Sequence, residues 1–233
     1  MAPLLLECFS GTGSVGKVFS KRGWRVISVD INATFQPTVC ADLLQWEGWR
    51  ELEFVMYAHF SPPCTAWSRC RSQGPLPDLD YSKRLVDRCL EIIAVLKPPF
   101  VTIENPATSG MCKLDYLGPF KDVCYCMYSD WGYRKATRIW HRGFDNWVPR
   151  PMCDKNQRCK HWKDGRHPAH AHKGGMRWGS GRAPNEWTQH ELYRIPEELV
   201  EEWANYIEAY INEQDRGSSV SRHVAAETRN TSP

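Results

Sequence analysis

A chain of 233 residues with 42% apolar and 24% charged residues can build one α/β domain with a sizeable core, or a domain plus a small insert. The net charge of +3 is too small to indicate a nucleic-acid partner by itself, so the placement of charge matters more than its sum. No run reaches the ~18 apolar residues of a membrane span, and Met1-Ala2-Pro3 before Leu4-Leu5-Leu6 has neither the basic start nor the apolar length of a secretory signal.

In chain order, Leu4 to Phe9 reads as a buried strand. Ser14 to Arg22 reads as a helix with Val15, Val18 and Phe19 on one face. Arg25 to Asp30 is a second strand, Val39 to Leu43 a weaker third, and Phe54 to His59 a fourth. Tyr81 to Lys97 has Leu85, Cys89, Ile92, Ile93 and Leu96 at helical spacing, and Pro98-Pro99 stops it. Phe100 to Ile103 is a fifth strand, ending in Glu104-Asn105-Pro106. Strands alternating with helices predict a mostly parallel, doubly wound sheet. Val123 to Ser129 and Thr137 to His141 read as two further, paired strands. Residues 141–189 lack periodicity, and Pro196 to Asn212 returns to a helix with Leu199, Trp203, Tyr206 and Ile207 in its apolar stripe. The expected organisation is a catalytic domain over 1–213, carrying an insert at 141–189, and a disordered tail over 214–233. Ten cysteines, several inside apolar runs, are expected to be free thiols in a reducing, intracellular compartment.

Chemistry gathers at the predicted strand ends. Pro62-Pro63-Cys64 puts a thiol on a stiff turn after the fourth strand, because each proline fixes its own φ and extends the residue before it. Ligands of open α/β sheets bind at that edge, and a nucleophile needs both exposure and fixed aim. Gly11-Thr12-Gly13-Ser14-Val15-Gly16 opens the first helix in the pattern G-x-G-x-x-G, and Asp30 closes the second strand, where an acid can bond both hydroxyls of a ribose. A nicotinamide dinucleotide and S-adenosylmethionine both satisfy these features. Asp42, at the end of the third strand, is placed to meet an adenine amino group.

With these motifs in order, the chain resembles the cytosine-5 DNA methyltransferases. Leu6-Glu7-Cys8-Phe9-Ser10-Gly11-Thr12-Gly13 is similar to that family's cofactor loop, Ser61 to Ser68 to its Pro-Pro-Cys motif, and Glu104-Asn105-Pro106 to its Glu-Asn-Pro motif. The resemblance covers roughly residues 4 to 140. It implies a Rossmann-like, S-adenosylmethionine-dependent fold with a small basic insert, in the manner of compact viral or phage members. It implies that Cys64 attacks carbon 6 of cytosine and that Glu104 holds N3 and the exocyclic amine. It further implies an arginine beside the base, Arg138 or Arg134, with Arg138 preferred. Phe9, Gly11, Gly13, Asp30, Asp42 and Pro62 are the implied cofactor contacts. The expected partner is DNA, with RNA the nearer alternative, and the expected state is a monomer. Two readings of other classes, a catalytically silent nucleic-acid-binding module and a nicotinamide oxidoreductase, leave Cys64 and Glu104 unexplained.

Residues 141–182 hold ten Lys or Arg against three acids, a surplus of seven, with Trp147, Trp162 and Trp178 interleaved. Cations near aromatics suit a phosphate backbone and unstacked bases. Cys153, Cys159, His161 and His167 are candidate zinc ligands at a spacing unlike a standard finger.

Overall fold

The structure, a computed structural model, describes residues 2–67, 78–167, 169–171, 176–177 and 187–229. Seven strands form one sheet in the order β3-β2-β1-β4-β5-β7-β6. They are β1 (Leu4–Cys8), β2 (Arg25–Asp30), β3 (Val39–Cys40), β4 (Tyr57–Phe60), β5 (Phe100–Pro106), β6 (Phe120–Cys124) and β7 (Ala136–Arg142). The first five are parallel, and β7 runs antiparallel between β5 and β6. A separate two-stranded ribbon pairs β8 (Ala169–His170) with β9 (Met176–Arg177). No helix among the described residues is long and apolar enough to cross a membrane.

β1 and β4 are buried along their whole length, as expected of central parallel strands covered on both faces. Side chains alternate across a strand, so Leu4, Leu6 and Cys8 face one layer and Leu5 and Glu7 the other. The first layer is α2 (Leu79–Leu96), which packs Leu85, Val86, Cys89, Ile92 and Ile93 against Ala58, Phe60, Val101 and Ile103. Its N-terminus is capped by Asp78, whose side chain accepts the Tyr81 N–H at 2.7 Å. The second layer joins α1 (Ser14–Lys21) to α4 (Glu197–Arg229), where Val15, Val18 and Phe19 share one core with Leu199, Val200, Trp203 and Ile207. Arg22 clamps the two helices by pairing with Glu201 and, at 2.6 Å, with Glu208. The short helix α3 (Gln189–Tyr193) carries a capping box between Thr188 and Glu191.

Several boundaries differ from the sequence reading. The third strand ends at Cys40 rather than Leu43, so Asp42 lies in the loop beyond it. The fourth strand begins at Tyr57 rather than Phe54, because Phe54 lies outside the core at 58% exposure. The strand expected over 123–129 instead ends at Cys124, where Tyr125–Met127 wind into a 3-10 turn. β7 extends to Arg142, so the irregular insert starts at 143 rather than 141. The helical backbone of α4 continues to Arg229 across residues expected to be a disordered tail. Intrinsic propensity is mixed there, since Glu, Gln, Arg and Ala favour a helix whereas Gly217 and the serines at 218, 219 and 221 do not.

One close approach fixes the second layer. Glu7 on β1 accepts the N–H groups of Val15 and Gly16 at 3.1 and 3.0 Å, capping the open end of α1 from within the core. A Cβ at Gly16 would sit 2.6 Å from Glu7 Oε2 and 2.9 Å from Val26 Cγ1. Neither neighbour can retreat, since the carboxylate is held by two bonds and Val26 belongs to β2. Gly16→Ala is expected to destabilise the fold by about 1–3 kcal/mol, read as a lower denaturation midpoint in urea with an unchanged slope.

Candidate active site

The C-terminal ends of the five parallel strands meet one cavity of about 820 Å³. Its wall includes Glu7, Phe9, Gly11, Asp30, Asp42, His59, Pro62, Cys64, Glu104, Asn105 and Lys135. Leu192 and Tyr193 at the end of α3 and Ile195 just beyond it close one side, and the N–H of Ile195 donates to Ser14 Oγ at 3.1 Å. The sequence reading missed this closing segment, which has no glycine or catalytic signature.

At the glycine loop, Phe9 has φ 57° and Gly13 has φ 66°, both in the left-handed region. Glycine tolerates this geometry, but at Phe9 it is strained. Asp30 Oδ2 accepts the Gly11 N–H at 2.8 Å, and its Oδ1 accepts the Asn32 N–H at 2.8 Å. Asp42 accepts the Leu44 N–H and, at 3.2 Å, the Tyr81 hydroxyl. Glu7 fills the helix N-terminus where a dinucleotide pyrophosphate would otherwise lie. Burial pushes its carboxyl up to about 7, against the pull of the two N–H bonds.

The cysteine turn and the Glu104 strand end are tied together. Asn105 Nδ2 donates to the Pro62 carbonyl at 2.8 Å, a fully buried bond. Glu104 Oε1 accepts the Tyr125 hydroxyl at 3.0 Å and lies 3.6 Å from Lys135 Nζ. Burial and then Glu104 raise the Tyr125 hydroxyl's pKa, so it remains a donor. Lys135 also sits over the Tyr125 ring at 4.7 Å. The Cys64 thiol is raised above its ordinary pKa, first by burial and then by Glu104, while Lys135 pulls it down. Behind it, His59 bridges Thr102 at 2.7 Å and Ser61 at 2.9 Å. Burial pushes His59 down to about 3, so it is a neutral strut.

No family model matches the sequence. It is 33% identical over 221 residues to the probable DNA (cytosine-5)-methyltransferase of Frog virus 3 (isolate Goorha), covering 85% of this chain and 97% of that protein. The chain belongs to the DNA (cytosine-5)-methyltransferase family. Among solved structures, it is similar to a putative DNA modification methyltransferase encoded within an E. coli prophage, with a TM-score of 0.43 and 14% identity over 65% of this chain. The chain spans about half of that protein, 52%. The doubly wound sheet with its reversed β7 is the Rossmann-like methyltransferase fold anticipated from the sequence.

Within this methyltransferase the expected residues Cys64, Glu104, Phe9, Gly11, Asp30, Asp42 and Pro62 all line the cavity, and Gly13 caps α1 beside it. Arg138 does not. It pairs with Asp122 through bonds of 2.8 and 3.0 Å and stacks 3.6 Å over Phe120. Register explains why: Glu104 lies opposite Ile139, whereas Arg138 lies opposite Asn105, so Arg138 projects from the other face of the sheet. Lys135 has the parity of Thr137 and Ile139 and supplies the cation at Glu104. Arg134 points toward the insert, where its Nε donates to the Cys153 carbonyl at 3.2 Å.

The aromatic part of the insert reading also changes. Trp147 is core, 5% exposed, with its ring 6.0 Å from that of Trp203. Trp162 packs on a cysteine cluster, and Trp178 lies outside the described residues. Lys155, Arg158, Lys163 and Arg166 are exposed, and Lys160 pairs with Asp130. Ser68 and residues 69–77, with Arg69 and Arg71, lie outside the described residues, as do His172, Lys173 and Arg182.

The charges around Cys64 make its reactivity testable. Iodoacetamide modification of Cys64, followed by peptide mass spectrometry across pH, is expected to inflect above the ordinary thiol range. Glu104→Gln removes a raising charge and should move the inflection to lower pH. Lys135→Ala removes a lowering charge and should move it higher.

Proposed function

We propose that the chain transfers a methyl group from S-adenosylmethionine to carbon 5 of cytosine in DNA through a covalent adduct with Cys64. The observation that carries this reading is the Asn105–Pro62 bond, which fixes the thiol turn and Glu104 as one unit on the cavity that Asp30 also reaches.

The residues fit the cofactor. Asp30 retains lone pairs beyond those used by Gly11 and Asn32, enough for ribose hydroxyls. Phe9, Ile31, Leu43 and Ile195 offer apolar walls for adenine, and Asp42 offers an acceptor for its amino group. Glu7 occupies the pyrophosphate position, which favours an adenosine without pyrophosphate over NAD or NADP. When bound, the sulfonium supplies an electrophilic methyl group.

Carbon 5 of cytosine is a weak nucleophile. Cys64 loses its proton, and the thiolate bonds to carbon 6, turning the ring into an enamine-like species that is nucleophilic at carbon 5. Glu104, oriented by Tyr125, holds N3 and the exocyclic amine as charge builds there. Lys135 stabilises the anionic thiolate and offsets Glu104. After methylation a base takes the carbon-5 proton, the C–S bond breaks, and Cys64 leaves with the electron pair. The target base must leave a duplex stack to enter the cavity.

Incubation with labelled S-adenosylmethionine and either DNA or RNA, followed by nucleoside analysis, should yield 5-methyldeoxycytidine. Product only from RNA would replace the substrate assignment. Cys64→Ser should abolish transfer while calorimetry still detects cofactor binding. DNA carrying 5-fluorocytosine should trap the wild-type chain in a denaturation-resistant complex, because fluorine cannot leave as a proton. Absence of that complex in the presence of cofactor would refute the covalent route.

A second expectation concerns the exposed cations. Replacing Lys155, Arg158, Lys163 and Arg166 with alanine should weaken DNA binding for all sequences. It should also flatten log affinity against log salt by roughly 0.9 per lost phosphate contact. Cofactor affinity should not change.

A further inference from the structure

A cluster outside the active site brings together chemistry that methyl transfer does not use. Cys124, Cys126, Cys153 and Cys159 are all buried and form their own small core, with Met127, Met152 and Trp162 packed around it. The ligand atoms of Cys126, Cys159 and His167 all lie within 4.8 Å of one another. Cys153 is buried in the same cluster as Cys126 and Cys159. All of these cysteines are free rather than disulfide-bonded.

His167 is the decisive member. Its Nδ1 lies 2.8 Å from the carbonyl oxygen of Ala169. A carbonyl only accepts, so Nδ1 carries the proton and Nε2 is a bare lone pair. That Nε2 is buried and has no hydrogen-bond partner. An unpaired buried acceptor is costly, and this one belongs to the group that holds two buried thiols. An imidazole whose far nitrogen is anchored on a backbone carbonyl is oriented as metal-binding histidines are.

We propose that Cys126, Cys153, Cys159 and His167 bind one structural zinc ion that fastens the basic insert to the catalytic sheet. Three thiolates and one imidazole in an apolar shell match a closed tetrahedral zinc site. On binding, the three thiols release their protons to solvent, the ion exchanges its hydration waters for three Zn–S bonds and one Zn–N bond, and nothing is oxidised or reduced. His161, a candidate from the sequence, is outside the group, with its ring 6.3 Å from that of His167. Cys126, which the sequence reading did not single out, contributes from the catalytic domain.

The position gives the site its purpose. The insert from 143 to 167 forms no named strand or helix and needs a staple. Cys126 adjoins Tyr125, whose hydroxyl holds Glu104. Arg134, next to Lys135, donates to the Cys153 carbonyl, and its backbone N–H donates to Ala169 at 2.8 Å. The ion would therefore brace both side chains that flank Glu104. The metal assignment itself stands apart from the methyl-transfer reading.

The test is metal content of the full chain, purified under reducing conditions without chelator and measured by plasma mass spectrometry. We expect about one zinc per chain. Cys159→Ser and His167→Ala should lose most of it, while Cys40→Ser, at an exposed cysteine outside the cluster, should retain it. Should the cluster variants fail to fold, cobalt titration of the metal-stripped wild type decides. Tetrahedral thiolate ligation gives strong visible bands and a near-ultraviolet sulfur-to-cobalt band at one equivalent. A wild-type chain that holds no zinc after zinc incubation and desalting, and shows no such bands with cobalt, would overturn the proposal.

Discussion

Two successive prolines leave a turn with carbonyl groups but, at those positions, no N–H to donate. The turn after β4 is therefore stiff, yet it cannot anchor itself to its neighbour by donating from Pro62 or Pro63. The Asn105 amide supplies the anchor by donating to the Pro62 carbonyl inside the core. A buried hydrogen bond of this kind adds only about 1 kcal/mol net, but its loss would strand a buried carbonyl and release the turn. Because Asn105 directly follows Glu104, the carboxylate and the thiol turn are positioned by one short stretch of β5. Their relative placement is thus set by covalent adjacency plus one bond, not by long loops.

The alternation of side chains along the strands then decides which groups can cooperate. Glu7, His59, Thr102 and His141 lie in register across four neighbouring strands and share one face of the sheet. Glu104 and Ile139 belong to that face as well. The opposite face, under α2, is almost wholly apolar. Polar chemistry is therefore concentrated between the sheet and the α1–α4 layer. Arg138 falls on the wrong side of this division, and Lys135 on the right one.

The strand-end residues were legible because their chemistry constrains their types: a stiff turn before a thiol, glycines in a sharp loop, an acid closing a strand. Lys135 was not, since its parity depends on how β7 pairs with β5, which neither strand's own sequence reveals. Trp147 read as a surface aromatic because the surrounding insert has no period, and its partner Trp203 lies on the last helix. The closing residues 192, 193 and 195 gave no signal because an apolar lining resembles any apolar packing. Cys126 was hidden inside an apparent strand, whereas the 3-10 turn at Tyr125–Met127 directs it away from the sheet ladder.

The docking of α4 on α1 has a consequence for the order in which the chain matures. Glu201, Asn205 and Glu208 reach back to Arg22, and Trp203 packs beside His59, so the layer that α1 begins on one face of the sheet is completed only by residues made long after it. During synthesis, β1 to β7 can pair and α2 can pack while α1 alone covers the face bearing Glu7 and Glu104. Contacts separated by so much sequence form slowly and late. The emerging chain therefore holds its Cys64 turn and glycine loop in place before it has a closed pocket, and the cavity closes as a single late event when α4 settles against α1.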